Sequence, residues 1–396
     1  MSETEFPEPD ETVEAVVPET LKGWIDDGDD VAILDVRAEG EYAEWRIEGE
    51  GVEIVNAPYY ELLEGVEGEH LDALPESSDH PLVAVCAKGG ASEYVAGLLK
   101  REGVDAVNLE RGMNGWAGIY EYHEIDAETD ATVAQYQRPS SGCLSYLIVS
   151  GDRAAVVDPL RAFADEYVKD AKAMGADLVY AFDTHVHADH VSGVRELDAR
   201  GVEGVIPAAA VDRGVTYADE MTTAEDGEVF EVGDVEIEVV HTPGHTSGMT
   251  SYLVGDAVLL TGDGLFAESV ARPDLEEGAD GAPEAARTLY RSLQERVLSL
   301  DEDVVVGGAH FSDAAEPAAD GTYTATIGDL TERMDALSMD EGEFVDLVLA
   351  DMPPRPANYE EIIGINLGQE DADDEEAFEL ELGPNNCAAS QDALTH

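Results

Sequence analysis

Basic residues are scarce in this chain, and their scarcity excludes whole classes of protein. The 396 residues include 21 lysines and arginines against 89 aspartates and glutamates, which gives a net charge of −68. Nucleic-acid binding needs clustered positive charge, so we expect no nucleic-acid partner. At molar salt the Debye length falls to about 3 Å, and a surface dense in carboxylates then repels itself little. We therefore expect a protein adapted to a salt-rich, halophilic cytosol, and greatest stability without salt would contradict this.

Cysteines and long apolar runs are also few. Cys86, Cys143 and Cys387 lie far apart in a long chain, so they do not form a disulfide framework. No run approaches the roughly 18 consecutive apolar residues of a membrane span. The N-terminal stretch MSETEFPEPDETVE lacks the basic start and apolar core of a secretory signal. We expect a cytoplasmic protein with no membrane partner. The oligomeric state stays open, a homo-oligomer being one alternative.

Strand and helix patterns divide the chain into two domains. Residues 11–124 alternate short apolar runs with helical patterns, which predicts a doubly wound parallel α/β sheet. A polar linker follows at 125–131. From 132 to 370, strands follow one another with short turns, as antiparallel strands do, and helices separate the groups, which predicts an αββα sandwich. We expect residues 1–10 and 371–396 to be acidic tails.

The second domain carries a dense group of potential metal ligands. The run THVHADH (184–190) is followed by HTPGH (241–245), TGDG (261–264) and GGAH (307–310). Imidazole and carboxylate groups bind zinc, iron and manganese. The later candidates lie at glycine-containing turns beside apolar strand runs, where catalytic groups are common. The candidate ligands are His185, His187, Asp189, His190, His245, Asp263 and His310.

The distribution of histidine strengthens the prediction of a metal site. Six of the ten histidines lie in these four motifs. His241 precedes the turn that carries His245, and we do not expect it to be a ligand. The remaining four are expected on the surface: His70, His80, His123 and His396.

The order H-x-H-x-D-H, T-P-G-H-T, G-D and a late histidine resembles the metallo-β-lactamase superfamily over residues 132–370. Most members are zinc hydrolases such as glyoxalase II, and the resemblance to them implies two metal positions. The first would be held by His185, His187 and His245. The second would be held by Asp189, His190 and His310, with Asp263 bridging. A binuclear zinc thioester hydrolase, with two Zn(II), is therefore one alternative.

Finer details resemble the persulfide dioxygenase branch of the superfamily instead. Ala188 precedes the aspartate of the first motif, and the run GDGLFAESVARPDL (262–275) ends in Arg-Pro-Asp-Leu. That family uses one Fe(II), and the resemblance implies His185, His245 and Asp263 as its ligands. Two histidines and one carboxylate leave coordination positions open for a persulfide and O₂.

The same resemblance implies roles for the residues that are not ligands of the single iron. Arg272 would lie near the carboxylate of the substrate or among the groups surrounding the metal, because its rigid fork of donors suits a carboxylate. The four other candidates would be hydrogen-bond partners of the site: His187, Asp189, His190 and His310.

The first domain contains a candidate thiol site in the run VAVCAKGGASEYVAGLL (83–99). Cys86 ends a buried strand and precedes a glycine-rich turn and a helix, whose backbone N–H groups can stabilise a thiolate. Lys88 adds a nearby cation that could bind substrate. With LDVR (34–37) and ERGMNGW (110–116), this loop resembles the rhodanese family over residues 11–124. That resemblance implies Cys86 as a catalytic carrier of sulfane sulfur.

One position departs from the rhodanese pattern. Ala91 stands where many sulfurtransferase loops have an arginine that binds anionic donors, which weakens the case for thiosulfate as a donor. The alternative is a docking domain with an inert buried thiol. We expect Cys143 to pack within an apolar strand, and Cys387 to be either a tail thiol or folded back to the site.

Together the two halves predict an iron-dependent persulfide dioxygenase joined to a sulfurtransferase. It would oxidise a low-molecular-weight thiol persulfide with O₂ to thiol and sulfite, and the first domain would relay sulfane sulfur at a raised local concentration. The zinc hydrolase is the second hypothesis. A persulfide sensor or sulfur carrier with a structural metal is the third, although structural zinc sites are usually closed and rich in cysteine.

Overall fold

The computed structural model describes residues 11–383, except 64, 67, 76–78, 313, 314, 351, 353 and 354. Cys387 lies outside the described residues. The contacts divide the chain into two compact units, with the boundary between Ile119 and Tyr120. The sequence placed the end of the first domain at 124. The structure differs because residues 121–124 form a strand that pairs within the second unit.

Within the described residues, the first unit contains one five-stranded sheet. Its strands are β1 (Ala15–Val16), β2 (Val31–Asp35), β3 (Val52–Asn56), β4 (Leu82–Val85) and β5 (Ala106–Leu109). They run in the order β1-β5-β4-β2-β3, and every neighbouring pair is parallel. The helices described in this unit are α1 (Pro18–Asp26), α2 (Glu39–Glu44), α3 (Tyr59–Leu62), α4 (Gly68–Asp72), α5 (Gly90–Arg101) and α6 (Gly112–Trp116).

Both faces of this sheet are buried, because alternate residues of a strand enter different apolar clusters. In β2, Leu34 packs in a cluster with Val95 of α5, while Ile33 packs in another with Leu21 of α1 and Trp116 of α6. A parallel sheet covered on both faces is the doubly wound arrangement. The predicted fold of the first unit is confirmed.

The described part of the second unit contains two sheets. The first has the strands β6 (Glu121–Glu124), β7 (Thr132–Arg138), β8 (Cys143–Ser150), β9 (Arg153–Val157), β10 (Asp177–Phe182), β11 (Glu203–Pro207) and β12 (Thr222–Ala224). They lie side by side in chain order, antiparallel from β6 to β9 and parallel from β9 to β12.

The second sheet is also arranged in chain order. Its strands are β13 (Val229–Val232), β14 (Val235–His241), β15 (Thr250–Val254), β16 (Val258–Gly262), β17 (Val305–Gly308) and β18 (Thr324–Thr326). All neighbours are antiparallel except β16 and β17. The helices described in this unit are α7 (Ala164–Ala173), α8 (Val194–Asp198), α9 (Gly278–Ser292), α10 (Ile327–Arg333), α11 (Glu341–Ala350), α12 (Tyr359–Asn366) and α13 (Asp374–Leu380).

The two sheets enclose an apolar core between them. Phe182 of the first sheet contacts Phe230 and Tyr252 of the second, with ring centroids 5.1 and 4.9 Å apart. Helices α7 and α8 pack on the outer face of the first sheet, and α9 to α11 on that of the second. This layer order confirms the predicted αββα sandwich.

The end of the described chain differs from the predicted acidic tail. Asp373 caps α13 by accepting a hydrogen bond from the backbone N–H of Glu376, at 2.9 Å. Glu381 is only 4% exposed. Residues 371–383 were predicted to belong to an acidic tail because they are rich in acidic side chains. The capped helix and the buried Glu381 show that they are folded instead. None of the described helices is long and apolar enough to cross a membrane.

Candidate metal centre

The candidate ligands lie just beyond the C-terminal ends of strands. His185 follows β10, His245 follows β14, Asp263 follows β16 and His310 follows β17. Because β14 and β16 are both antiparallel to β15, and β16 is parallel to β17, these three ends reach the same edge of the second sheet. In open α/β sheets, ligands usually bind beyond the carboxyl ends of the strands.

One glycine shapes the turn before Asp263. Gly262 has a φ of +51°, and a Cβ there would lie 2.3 Å from Met249 Cε and 2.4 Å from Thr184 Oγ1. Only glycine accommodates both this backbone conformation and this close approach. The glycine in the TGDG run therefore allows Asp263 to approach the histidine loop.

Three side chains form a compact buried group: His185, His245 and Asp263. The Nε2 atoms of His185 and His245 lie 3.5 and 3.3 Å from the same carboxylate oxygen, Asp263 Oδ2. All three side chains are at most 1% exposed. Their nearest donor atoms lie within 4.8 Å of one another, a spacing compatible with a single metal ion.

Hydrogen bonds on the far side of each ring fix which nitrogen carries the proton. His245 Nδ1 lies 2.9 Å from the backbone carbonyl of Arg272, which can only accept a hydrogen bond. His185 Nδ1 lies 2.9 Å from Thr184 Oγ1, whose own proton is donated to Asp158. Both Nδ1 atoms therefore carry the proton, and both Nε2 atoms present a lone pair to Asp263.

This arrangement fits a divalent metal ion. Burial lowers the pKa of His185 to about 4 and also lowers the pKa of His245, so both imidazoles are neutral. Two lone pairs and a carboxylate that converge on one point repel each other unless a cation lies between them. His185 Nε2 and Asp263 Oδ2 are buried and have no hydrogen-bond partner among the described residues. The donor set suits a transition metal.

A second buried group centres on Asp189. Its Oδ2 lies 3.0 Å from His190 Nδ1, 2.9 Å from His310 Nε2 and 3.2 Å from Cys143 Sγ. His310 also places Nδ1 2.6 Å from Asp263 Oδ1, so it links the two groups. Burial opposes the charging of His310, but Asp263 and Asp189 outweigh it and raise its pKa well above the usual value.

His187 belongs to a third group and has two carboxylates beside it. Its Nε2 lies 3.0 Å from Asp158 Oδ1 and 3.6 Å from Asp183 Oδ1. Burial and His190 lower the pKa of His187, but the two carboxylates outweigh them and raise it to about 9. Asp158 has a φ of +51°, a left-handed conformation supported by hydrogen bonds from the backbone N–H and hydroxyl of Thr184.

The sequence did not point to several members of these groups. Asp158 and Asp183 end strand patterns, and that position is the only signal that could have marked them. Cys143 is 1% exposed and packs in an apolar cluster as expected, but its sulfur also contacts Asp189. Thr184 and the carbonyl of Arg272 act through hydrogen bonds that sequence alone does not show.

Arg272, which was predicted to bind substrate, and His241, which was not expected to be a ligand, form polar contacts of their own. The guanidinium of Arg272 pairs with Asp274, 2.8 Å between Nε and Oδ1, and its side chain is 1% exposed. Arg272 thus lies beside the candidate metal site, and its backbone carbonyl accepts a hydrogen bond from His245 Nδ1. His241 lies 3.0 Å from the backbone carbonyl of Ser247 and is not a member of the three ligand groups.

The thiol site of the first unit is built around the start of α5. Cys86 Sγ is 3.1 Å from the backbone N–H of Gly89 and 3.2 Å from Ser92 Oγ. Ser92 is itself held 2.7 Å from Asn108 Oδ1. A Cβ at Gly112 would lie 2.0 Å from the Cys86 carbonyl, so the ERGMNGW run can pack closely on this loop.

The structure also shows the positions of Lys88, the cation predicted to bind substrate, and of Ala91, which stands where many sulfurtransferases have an arginine. Lys88 is exposed on the same loop, while Ala91 is 6% exposed within α5. Two donors, the Gly89 backbone N–H in the turn and the Ser92 hydroxyl at the start of the helix, lie within hydrogen-bond distance of the sulfur.

Two family models match the chain. A rhodanese-like domain matches residues 17–119, and the metallo-beta-lactamase superfamily matches residues 139–310. The hydroxyacylglutathione hydrolase of Methylococcus capsulatus is 32% identical over 206 residues, which cover 50% of this chain and 73% of that protein. The chain belongs to the metallo-beta-lactamase superfamily, and a rhodanese-like domain precedes its superfamily domain.

Proteins called ETHE1 are also similar to this chain. The human mitochondrial persulfide dioxygenase ETHE1 is 31% identical over 182 residues, 44% of this chain. The match covers 66% of the human protein, just under two thirds of its length. The crystal structure of ETHE1 from Myxococcus xanthus has a TM-score of 0.51 and 26% identity, and the match covers 59% of this chain and 97% of that one.

Proposed function

We propose that this protein is an iron-dependent persulfide dioxygenase. The terminal sulfur of a low-molecular-weight thiol persulfide would be oxidised to sulfite: RSSH + O₂ + H₂O gives RSH, SO₃²⁻ and two protons. The S–S bond breaks, S–O bonds form, and O₂ accepts the four electrons that the sulfur loses. The similarity to the human persulfide dioxygenase supports this choice of substrate.

One observation carries the proposal. His185, His245 and Asp263 converge as a two-histidine, one-carboxylate set, and the other candidate ligands fall into two further groups. His310 of the second group also contacts the first, through Asp263 Oδ1. Asp189 Oδ2 has three neighbouring donor groups, and His187 Nε2 lies between two carboxylates. A mononuclear iron site needs the first set alone, and the rest then act as its hydrogen-bonded surroundings.

The residues of the chain would position and shield the reacting groups. Fe(II), held by the three ligands, would supply open coordination positions and the redox chemistry. The Arg272 carbonyl and Thr184 hold the two imidazoles with Nε2 free. His310 Nδ1, 2.6 Å from Asp263 Oδ1, restrains the carboxylate from its other side. Because all of these groups are buried, bulk water has little access to them.

The rhodanese-like unit would relay sulfane sulfur through Cys86. The thiolate attacks the terminal sulfur of a persulfide donor, releases the donor thiol and becomes an enzyme persulfide. A thiol acceptor then takes the sulfur and regenerates Cys86. The Gly89 backbone N–H would donate to the sulfur, and so would Ser92 when its single hydroxyl proton turns from Asn108 Oδ1 to Cys86. Exposed Lys88 would attract an anionic donor. The paired reactions would serve sulfide detoxification.

A zinc hydrolase is the second candidate, since all seven residues for two metals are present and a hydroxyacylglutathione hydrolase is a relative. His187 Nδ1 and His190 Nε2 are buried without hydrogen-bond partners among the described residues, and His310 Nδ1 faces Asp263 Oδ1. Those atoms could serve as further metal ligands. Two zinc ions per chain and thioester cleavage would distinguish it from the dioxygenase, which needs one iron.

The test is oxygen uptake by protein loaded anaerobically with Fe(II) and assayed in molar KCl. Glutathione persulfide and coenzyme A persulfide serve as substrates, and sulfite is quantified alongside. The His185→Ala variant serves as the negative control, and bound metal is counted by elemental analysis. Uptake that yields sulfite and vanishes in the variant supports the proposal. Thioester cleavage by a two-zinc form, with no uptake on either persulfide, would replace it by the hydrolase.

A further inference from the structure

The loop that carries Asp189 and His190 has no regular structure of its own. Residues 187–191 belong to neither a helix nor a strand, yet all five are buried. Buried backbone N–H and C=O groups need hydrogen-bond partners. Three of the partners of this loop come from a segment almost two hundred residues later in the chain, and a fourth is the backbone N–H of Arg161, which donates to the Val191 carbonyl at 2.9 Å.

Asn366, the last residue of α12, provides two of them and also bonds the next residue, Ser192. Its Nδ2 donates to the backbone carbonyls of His187 and His190, at 2.9 and 2.8 Å. Its Oδ1 accepts from the backbone N–H of Ser192, at 2.9 Å. Asn366 is 5% exposed, and one amide group thus joins three points of the loop.

Glu381, which follows α13, is the third partner from this late segment. Its Oε1 accepts from the backbone N–H of Val191 at 2.8 Å, and its Oε2 pairs with Arg138 Nη1 at 2.6 Å. Both side chains of this ion pair are at most 1% exposed. The carboxylate therefore connects the loop to β7, with the Arg138 guanidinium over the rings of Phe163 and Phe378.

We propose that Asn366 is a positioning residue of the metal centre. It fixes the loop, the loop fixes Asp189, and Asp189 holds His310, which lies against the ligand Asp263. An amide is required at this position, because the site needs two donors and one acceptor in one plane. A carboxylate of the same shape would face two carbonyl oxygens without a proton to offer. The inference rests on the metal centre proposed above.

The test compares two isosteric substitutions in the full chain, Asn366→Asp and Asn358→Asp. Asn358 also donates from Nδ2, to the carbonyl of Leu380, but it is exposed and does not contact the loop. Dissociation constants for Co(II) and Fe(II) are measured by competition with a chromophoric chelator. The visible spectrum of the Co(II) form and the melting temperature of the metal-free protein are recorded for each variant.

We expect Asn366→Asp to weaken metal binding by about 10- to 100-fold, the range typical of groups that orient ligands, and to shift the Co(II) spectrum. Asn358→Asp should stay within about twofold of the unsubstituted protein. Asn366→Ser, which keeps one donor, should fall between them, and it provides the test if the aspartate variant does not fold. A merely structural role would lower the melting temperature without moving the Co(II) spectrum.

Unchanged affinity and an unchanged Co(II) spectrum in folded Asn366→Asp, or in Asn366→Ser if the aspartate variant does not fold, would overturn the inference. Asp263→Asn separates this failure from a failure of the metal centre. If Asp263→Asn also binds metal normally, the proposed centre is wrong. If only Asp263→Asn loses the metal, the centre stands and Asn366 has no part in it.

Discussion

The two candidate sites of this protein are assembled in opposite ways. The sulfur of Cys86 is surrounded by groups from a single run, residues 86–92, with Asn108 as a more distant support. The candidate metal centre draws its proposed ligands from three segments, at His185, His245 and Asp263, and its support from as far as Asn366 and Glu381. A local site depends on a few turn and helix-start interactions, whereas a composite site depends on the whole sandwich.

The strongest test of the composite site compares two histidines four residues apart. We expect His245→Ala to weaken Fe(II) binding by about 10³-fold or more, because one of three ligands is removed. His241→Ala should leave the metal content unchanged, because the His241 imidazole lies against the Ser247 carbonyl and His241 belongs to none of the three groups of candidate ligands. Elemental analysis after dialysis measures both. Equal metal loss from the two variants would show that the ligand group is misassigned.

The thiol site at Cys86 should act independently of the metal centre. Cys86→Ser should abolish the gain of one sulfur atom on the protein after incubation with a persulfide donor, because an alcohol does not form the persulfide. Sulfite production from a supplied low-molecular-weight persulfide should stay within about twofold, since the proposed metal ligands all lie in the second unit. Mass spectrometry and sulfite assay measure the two steps. Sulfur loading that persists in the variant would assign it to another thiol.

The buried ion pair at the end of the chain should matter more for stability than its acidic surroundings. We expect Glu381→Gln to lower the free energy of unfolding by about 3 kcal/mol, because it removes one charge from a fully buried pair. Asp371→Asn, on the exposed surface nearby, should change it by less than about 0.5 kcal/mol. Urea unfolding at constant high KCl provides both values. Equal effects would place residues 371–383 among loosely docked tails, as the sequence suggested.

The smallest effect is expected from loss of the contact between Ser92 and the sulfur of Cys86. Ser92→Ala removes one hydrogen-bond partner of Cys86 and should slow sulfur transfer about fivefold, which corresponds to about 1 kcal/mol. Thr20→Ala, on the exposed face of α1, is the control. Single-turnover transfer to a thiol acceptor measures the rate. A rate unchanged by Ser92→Ala would leave Gly89 and the helix start as the groups that support the thiolate.

The sequence singled out the candidate ligands more readily than the groups that the structure places around them. His185, His245 and Asp263 stand in short runs with glycines, so their types and spacing were visible before any fold was known. Asp158 and Asp183 are ordinary strand-end residues in a chain rich in acids, and only proximity distinguishes them. Cys143 was expected to pack, and it does, but its contact with Asp189 depends on β8 lying beside the histidine loop.

By itself, the sequence determined the two fold classes, the order of the domains and the residue types of both sites, because apolar periodicity and turn residues act over a few neighbouring positions. Tertiary structure alone decided which histidines share a carboxylate and which nitrogen of each imidazole faces it. It also brought Asn366 and Glu381 to a loop that begins at residue 187. The physical reason is that buried polar groups select their partners by distance in space, and residues far apart in the chain meet only when the sheets and helices pack.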